Sequence, residues 1–207
     1  MSPYVFVLIA YLIGSLSFAV IVSRAMGMDD PRSYGSGNPG ATNVLRSGRK
    51  VAALLTLLGD TLKGVIAMLI VIAQHADDSL LAMTALAVTI GHMWPIFFRF
   101  QGGKGVATAA GVLFCIDWRL GMIVLTVWLL LAFVLKISSL AAIIAALVAP
   151  IACWFLLPGH QAIFGAVLAI SALLIQRHKQ NLLNLISGKE GKIGEKSNTS
   201  ESENQSS

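Results

Sequence analysis

The sequence predicts an all-α integral membrane protein of seven transmembrane helices, with its N-terminus outside and its C-terminus in the cytoplasm. Three observations predict it. The 207 residues are 56% hydrophobic and only 12% charged, with a mean hydropathy of +0.78, far from the balance of a soluble domain. Apolar runs of about 20 residues, the length that spans a bilayer core, recur along the chain. When those runs are threaded back and forth, every Lys and Arg except Lys63 and Arg119 falls on one side, as cytoplasmic loops require.

Residues 3–23 lack the basic leader and small-residue cleavage site of a secretory signal, so they are expected to be a retained first span. Runs 51–74, 80–98, 118–135, 138–157 and 161–176 are each long enough to cross. Run 106–116 reaches only about 17 Å, so it must borrow from 102–105 or be re-entrant. Charge favours a full crossing, because otherwise Lys136, Arg177 and Lys179 would move outside. Residues 1–194 then form one membrane domain, and 195–207, rich in Ser, Asn and Glu, are expected to be a disordered cytoplasmic tail. Cys115 and Cys153 have neither metal-ligand nor redox spacing and are expected to be unpaired thiols in apolar surroundings.

The stretches 33–49, 99–108, 136–139 and 177–184 all meet at the cytoplasmic face in this topology. "GSGNPGATN" at 35–43 combines permissive glycines with the small polar groups of Ser36, Asn38, Thr42 and Asn43. Backbone N–H groups turned inward at such a loop form an anion nest, although plain turns use the same residues. "QGGKGVATAAG" sets Gly102, Gly103, Lys104 and Gly105 just before a helix that carries Thr108. An ammonium beside free helix N–H groups attracts a phosphate, but the Walker A spacing is missing. "RHKQNLLNL" puts His178 and Asn181 on one helix face, while Arg177 and Lys179 read as an interfacial basic cap. Asp60 and Lys63, at i and i+3 inside a span, are expected to pair for packing or orientation rather than catalysis, and His92 before Pro95 to serve a helix kink. Metal-binding clusters, the G-x-S-x-G elbow and any nucleic-acid motif are absent, so neither metal nor other cofactor is expected.

"SGNPGATN", "GHMWPIFFRFQGGKGVATAAG" and "RHKQNLLNLISGKEGKIG", in this order, resemble the three cytoplasmic motif regions of the bacterial acyl-phosphate:glycerol-3-phosphate acyltransferases. The resemblance covers residues 14–194. It implies a multi-pass enzyme of the bacterial inner membrane whose site faces the cytoplasm. That enzyme would move a fatty acyl group from a long-chain acyl phosphate to the 1-hydroxyl of glycerol 3-phosphate. It further implies Ser36, Arg46, Lys104, His178 and Asn181 as catalytic residues. Gly37, Asn38, Gly40, Thr42, Asn43, Gly102, Gly103, Gly105, Thr108, Ser138 and Ser139 would bind the substrates, and a soluble acyl-phosphate synthase is a candidate partner. No histidine is followed five residues on by aspartate, in keeping with a family that does not use acyl thioesters. A transporter of phosphorylated solutes is the competing class, since cationic clusters also suit anion passage.

Overall fold

A computed structural model describes residues 2–193; the expected tail, with Lys196, lies outside the described residues. Ten α-helices and one 3-10 turn make up these residues. Four helices are long and apolar enough to cross a membrane: α4 (Lys50–Ile72), α5 (Asp78–Met93, prolonged by the 3-10 turn Ile96–Phe98), α7 (Trp118–Leu135) and α8 (Ser138–Leu156). Two bent pairs also pass: α1 (Pro3–Gly14) with α2 (Phe18–Ala25), bent by 43°, and α9 (Gln161–Arg177) with α10 (Lys179–Ile186), bent by 54°. The short α3 (Ala41–Arg46) grows out of the first glycine loop, and α6 (Val106–Ile116) is the half-length helix.

The expected first span is therefore interrupted. Its break at 15–17 frees backbone groups that water cannot reach in a bilayer, so side chains must satisfy them. The Lys63 ammonium donates to the Leu16 carbonyl at 2.8 Å. Ser15 Oγ donates to Tyr11 O at 2.9 Å, and Tyr11 Oη donates to Trp94 O at 2.9 Å, tying this break to the end of α5.

Small residues let the helices approach closely, as membrane packing requires. A side chain at Gly64 or Gly111 would strike the Thr108 or Thr61 carbonyl across the α4 and α6 contact. One apolar cluster gathers Ala10, Met68, Val88, Val112, Ala146 and Ile170 from six helices. The outer faces are apolar as well, with Leu54, Leu58, Leu62, Ile66 and Leu69 exposed along α4 and Phe133 and Phe155 exposed by 78% and 77%. In water such a surface would aggregate, and in lipid it is the solvated face. Cys115 and Cys153 are free thiols.

Candidate active site

The three motif regions surround one cavity of about 660 Å³. Its polar end is walled by Ser36, Asn38, Gly40, Thr42, Asn43, Arg46, Lys104, Gly105, Ser138, Ser139, His178 and Asn181. From there it runs between α4, α6, α7 and α8 along Leu57, Leu58, Leu113, Phe114, Leu125 and Trp128. Gly37, Gly102, Gly103 and Thr108 do not line it; they shape the loops and helix behind it.

The first loop is held by Asn43, which is only 2% exposed. Its Oδ1 accepts from the Ser36 N–H at 2.9 Å and from Ser36 Oγ at 3.2 Å, while its Nδ2 donates to Pro31 O at 2.7 Å and Tyr34 O at 3.2 Å. The Asn43 amide is thus engaged in tying the loop rather than reaching into the cavity. Its partner Ser36 is exposed at the rim. Arg46, at the end of α3, lines the cavity, and its guanidinium donates no hydrogen bond among the described residues.

The second loop brings in Lys104. Its Nζ donates to Asn181 Oδ1 at 2.6 Å, and Asn181 Nδ2 donates to Glu190 Oε1 at 2.6 Å. Ser139 Oγ donates to the same Glu190 oxygen at 2.6 Å. Lys104 lies in the connection between spans. Burial there pulls its ammonium down to about 8; Glu190 opposes that fall, while Arg46 and Arg177 add to it. Gly105 starts α6 with φ +88, a conformation a side chain disfavours.

His178 stands at the break between α9 and α10, 2% exposed. Its Nδ1 lies 2.8 Å from Leu174 O, which assigns the proton to Nδ1 and leaves Nε2 as an acceptor.

Two participants were missed by sequence reasoning. Arg177, expected to be a simple basic cap, donates to Gly102 O at 2.7 Å and Gly103 O at 3.1 Å. Its guanidinium also stacks over Trp94, 5.4 Å from the ring centre. Glu190 joins Ser139 and Asn181; the available signal was its isolation, since no other acid occurs between Asp117 and Glu195.

The site therefore sets cationic groups and hydroxyls at the mouth of an apolar slot, an arrangement suited to an anionic headgroup with an alkyl tail. A family model described as glycerol-3-phosphate acyltransferase matches residues 4–188. A Chromobacterium violaceum protein named glycerol-3-phosphate acyltransferase is 56% identical over 199 residues, covering 94% of this chain and 97% of the relative. A Neisseria gonorrhoeae protein of the same name is 58% identical over 194 residues, covering 92% and 96%. The crystal structure of PlsY (YgiH), an integral membrane glycerol 3-phosphate acyltransferase in its glycerol 3-phosphate form, superposes with a TM-score of 0.88 at 38% identity, covering 94% of this chain and 96% of that one. A lysophosphatidic acid form matches with a TM-score of 0.86. With fold and sequence shared along nearly its whole length, this chain belongs to the glycerol-3-phosphate acyltransferase family.

Proposed function

We propose that the protein transfers a long-chain acyl group from acyl phosphate to the 1-hydroxyl of sn-glycerol 3-phosphate. The products are 1-acyl-sn-glycerol 3-phosphate, or lysophosphatidate, and inorganic phosphate, and the step is the first acylation of phospholipid synthesis. The supporting observation is the continuous cavity, cationic at one end and apolar along its length. The enzyme sits in the bacterial inner membrane with seven crossings, N-terminus outside, and the cavity mouth facing the cytoplasm. The clustering of basic residues around that mouth supports this orientation.

Both substrates are phosphate anions, so bringing them together requires positive charge. Arg46 and Lys104 supply it, Arg as a bidentate ligand and Lys as a point charge. Ser36 and the N–H groups of the first loop complete the phosphate cradle. Ser138, Ser139, His178 and Asn181 hold the glycerol portion. The glycerol 1-oxygen attacks the acyl carbonyl carbon, the bond from that carbon to the phosphate oxygen breaks, and the hydroxyl proton passes to the departing phosphate. The Nδ1 proton of His178 is engaged at the Leu174 carbonyl, which leaves Nε2 as an acceptor. His178 Nε2 therefore orients the hydroxyl, and alignment supplies much of the rate. No acyl-enzyme forms. A soluble acyl-phosphate synthase delivering its product at this mouth fits the same picture.

The test is turnover of purified protein in lipid, given glycerol 3-phosphate with palmitoyl phosphate, palmitoyl-CoA or palmitoyl-carrier protein. Phosphate and lysophosphatidate should appear together with palmitoyl phosphate alone. Turnover with a thioester only, or a radiolabelled acyl group retained on denatured protein, would reject the donor or the direct attack respectively.

A further inference from the structure

Behind the two glycine loops lies a buried polar cluster that the proposed chemistry does not use. Asp60 and Lys63 of α4 are each 2% exposed and His92 of α5 is 7% exposed. Lys63 Nζ is 2.8 Å from Asp60 Oδ1, in an ion pair whose angles miss those of a hydrogen bond. His92 Nδ1 faces the same carboxylate oxygen at 3.5 Å. Lys63 has a structural duty at the Leu16 carbonyl, which accounts for one cation. It does not account for a histidine aimed at the balancing carboxylate.

The other side of the His92 ring supplies the reason. Its main-chain oxygen accepts from the Gly103 N–H at 3.1 Å. A side chain placed on Gly103 would strike His92 Nε2 and come within 3.1 Å of the Pro39 carbonyl. Gly103 is thus pressed between the ring and the first loop. Asp60 and His92 both reach the cavity wall, and the Asp60 carbonyl accepts from Thr108 Oγ1 at 2.9 Å, tying the same turn of α4 to α6. At 3.5 Å the carboxylate makes no hydrogen bond to Nδ1, so its hold on the ring is electrostatic. Buried ion pairs are expensive in lipid and add little net stability over apolar replacements, so their presence points to a positional task.

We propose that Asp60 and His92, charge-balanced by Lys63, form a positioning unit that fixes the spacing of the 36–43 and 102–105 loops. Arg46 and Lys104 thereby address the two phosphates from set positions. The identity of those anions rests on the function proposed above; the mechanical coupling of the loops does not.

Hydrogen exchange of the full chain in lipid nanodiscs tests that coupling without substrate. His92→Ala should speed amide exchange in both loops together, by roughly tenfold or more, and leave α7 unchanged. Exchange unchanged in both loops, or faster in 102–105 alone, would overturn the proposal. If His92→Ala does not fold, Gly103→Ala perturbs the same contact from the other side and carries the same two outcomes. Kinetics supply the second readout. The double variant Asp60→Asn with Lys63→Met buries no charge but loses the donor to the Leu16 carbonyl, so it should melt lower than wild type yet stay folded, and it should raise KM for glycerol 3-phosphate about tenfold, since small misplacements weaken a preorganised site. A folded double variant with wild-type KM would also overturn it. Absence of turnover in the wild-type protein would instead reject the proposed function and leave the exchange result standing.

Discussion

Lys104 offers the sharpest test of the site, because its environment separates the cost of holding charge from the benefit. Its ammonium is drawn from an ordinary 10.5 to about 8 chiefly by burial. At roughly 1.4 kcal/mol per pH unit, keeping it charged at neutrality costs the folded protein about 3 kcal/mol. The sign follows from proton binding. The folded state binds this proton more weakly than the unfolded state, so the cost is fully present below about pH 8 and disappears as pH rises towards 10.5. A phosphate beside the ammonium offsets it, which makes the group poised for an anion. Measured as kcat/KM for glycerol 3-phosphate with acyl phosphate saturating, activity reports the free enzyme. It should fall above about pH 8, by roughly tenfold at one unit higher. Lys104→Arg keeps its charge throughout, so its profile should lose that alkaline limb even though its plateau drops. A wild-type profile flat to about pH 10, or the same limb surviving in Lys104→Arg, would refute the reasoning.

Other perturbations address other links. His178→Gln retains an acceptor and should keep turnover within about tenfold of wild type, whereas loss by about a thousandfold or more, read by lysophosphatidate formation, would make His178 the base. Asn43→Ala takes the partner from the Ser36 N–H and the Pro31 carbonyl, while Tyr34 O keeps the Gly37 N–H, and should lower stability by about 1–3 kcal/mol, measured by thermal unfolding in detergent. Lys63→Met alone strands the Asp60 carboxylate and should cost about 3–5 kcal/mol in the same assay, most of it recovered by adding Asp60→Asn. For topology, a cysteine introduced at Arg119 should react with an impermeant maleimide from outside intact cells, and one at Lys189 only after lysis.

Hydropathy made most of the helices legible, and residues 118–135 coincide with α7 from end to end. Spacing alone placed Asp60 beside Lys63, because residues three apart share a helix face. The break at 15–17 was not legible: the run is largely apolar with its three serines at 15, 17 and 23, and the cation that makes the break tolerable lies 47 residues away. Arg177 was hidden for a similar reason. A lysine or arginine at a span end already has a sufficient cause in topology, so its engagement with carbonyls 74 and 75 residues earlier leaves no local trace. Asn43 stood out by composition, but a loop-tying amide and a ligand-binding amide look identical in one sequence. The cavity itself draws its wall from eight helices at once and has no signature in any of them.

The apolar stretch of that cavity shares Leu54, Leu57, Leu58 and Leu129 with the lipid-facing surface of the protein. For the proposed reaction, the tailed substrate can then slide in sideways from the leaflet and the tailed product can leave the same way, neither passing through water. The quantity that governs saturation is the number of donor molecules per lipid, not per litre. Diluting the donor with inert lipid at constant bulk concentration should slow the enzyme, while diluting the whole suspension with buffer should not. In the proposed reaction the membrane acts as a two-dimensional reagent reservoir, and the surface density of the donor sets the rate.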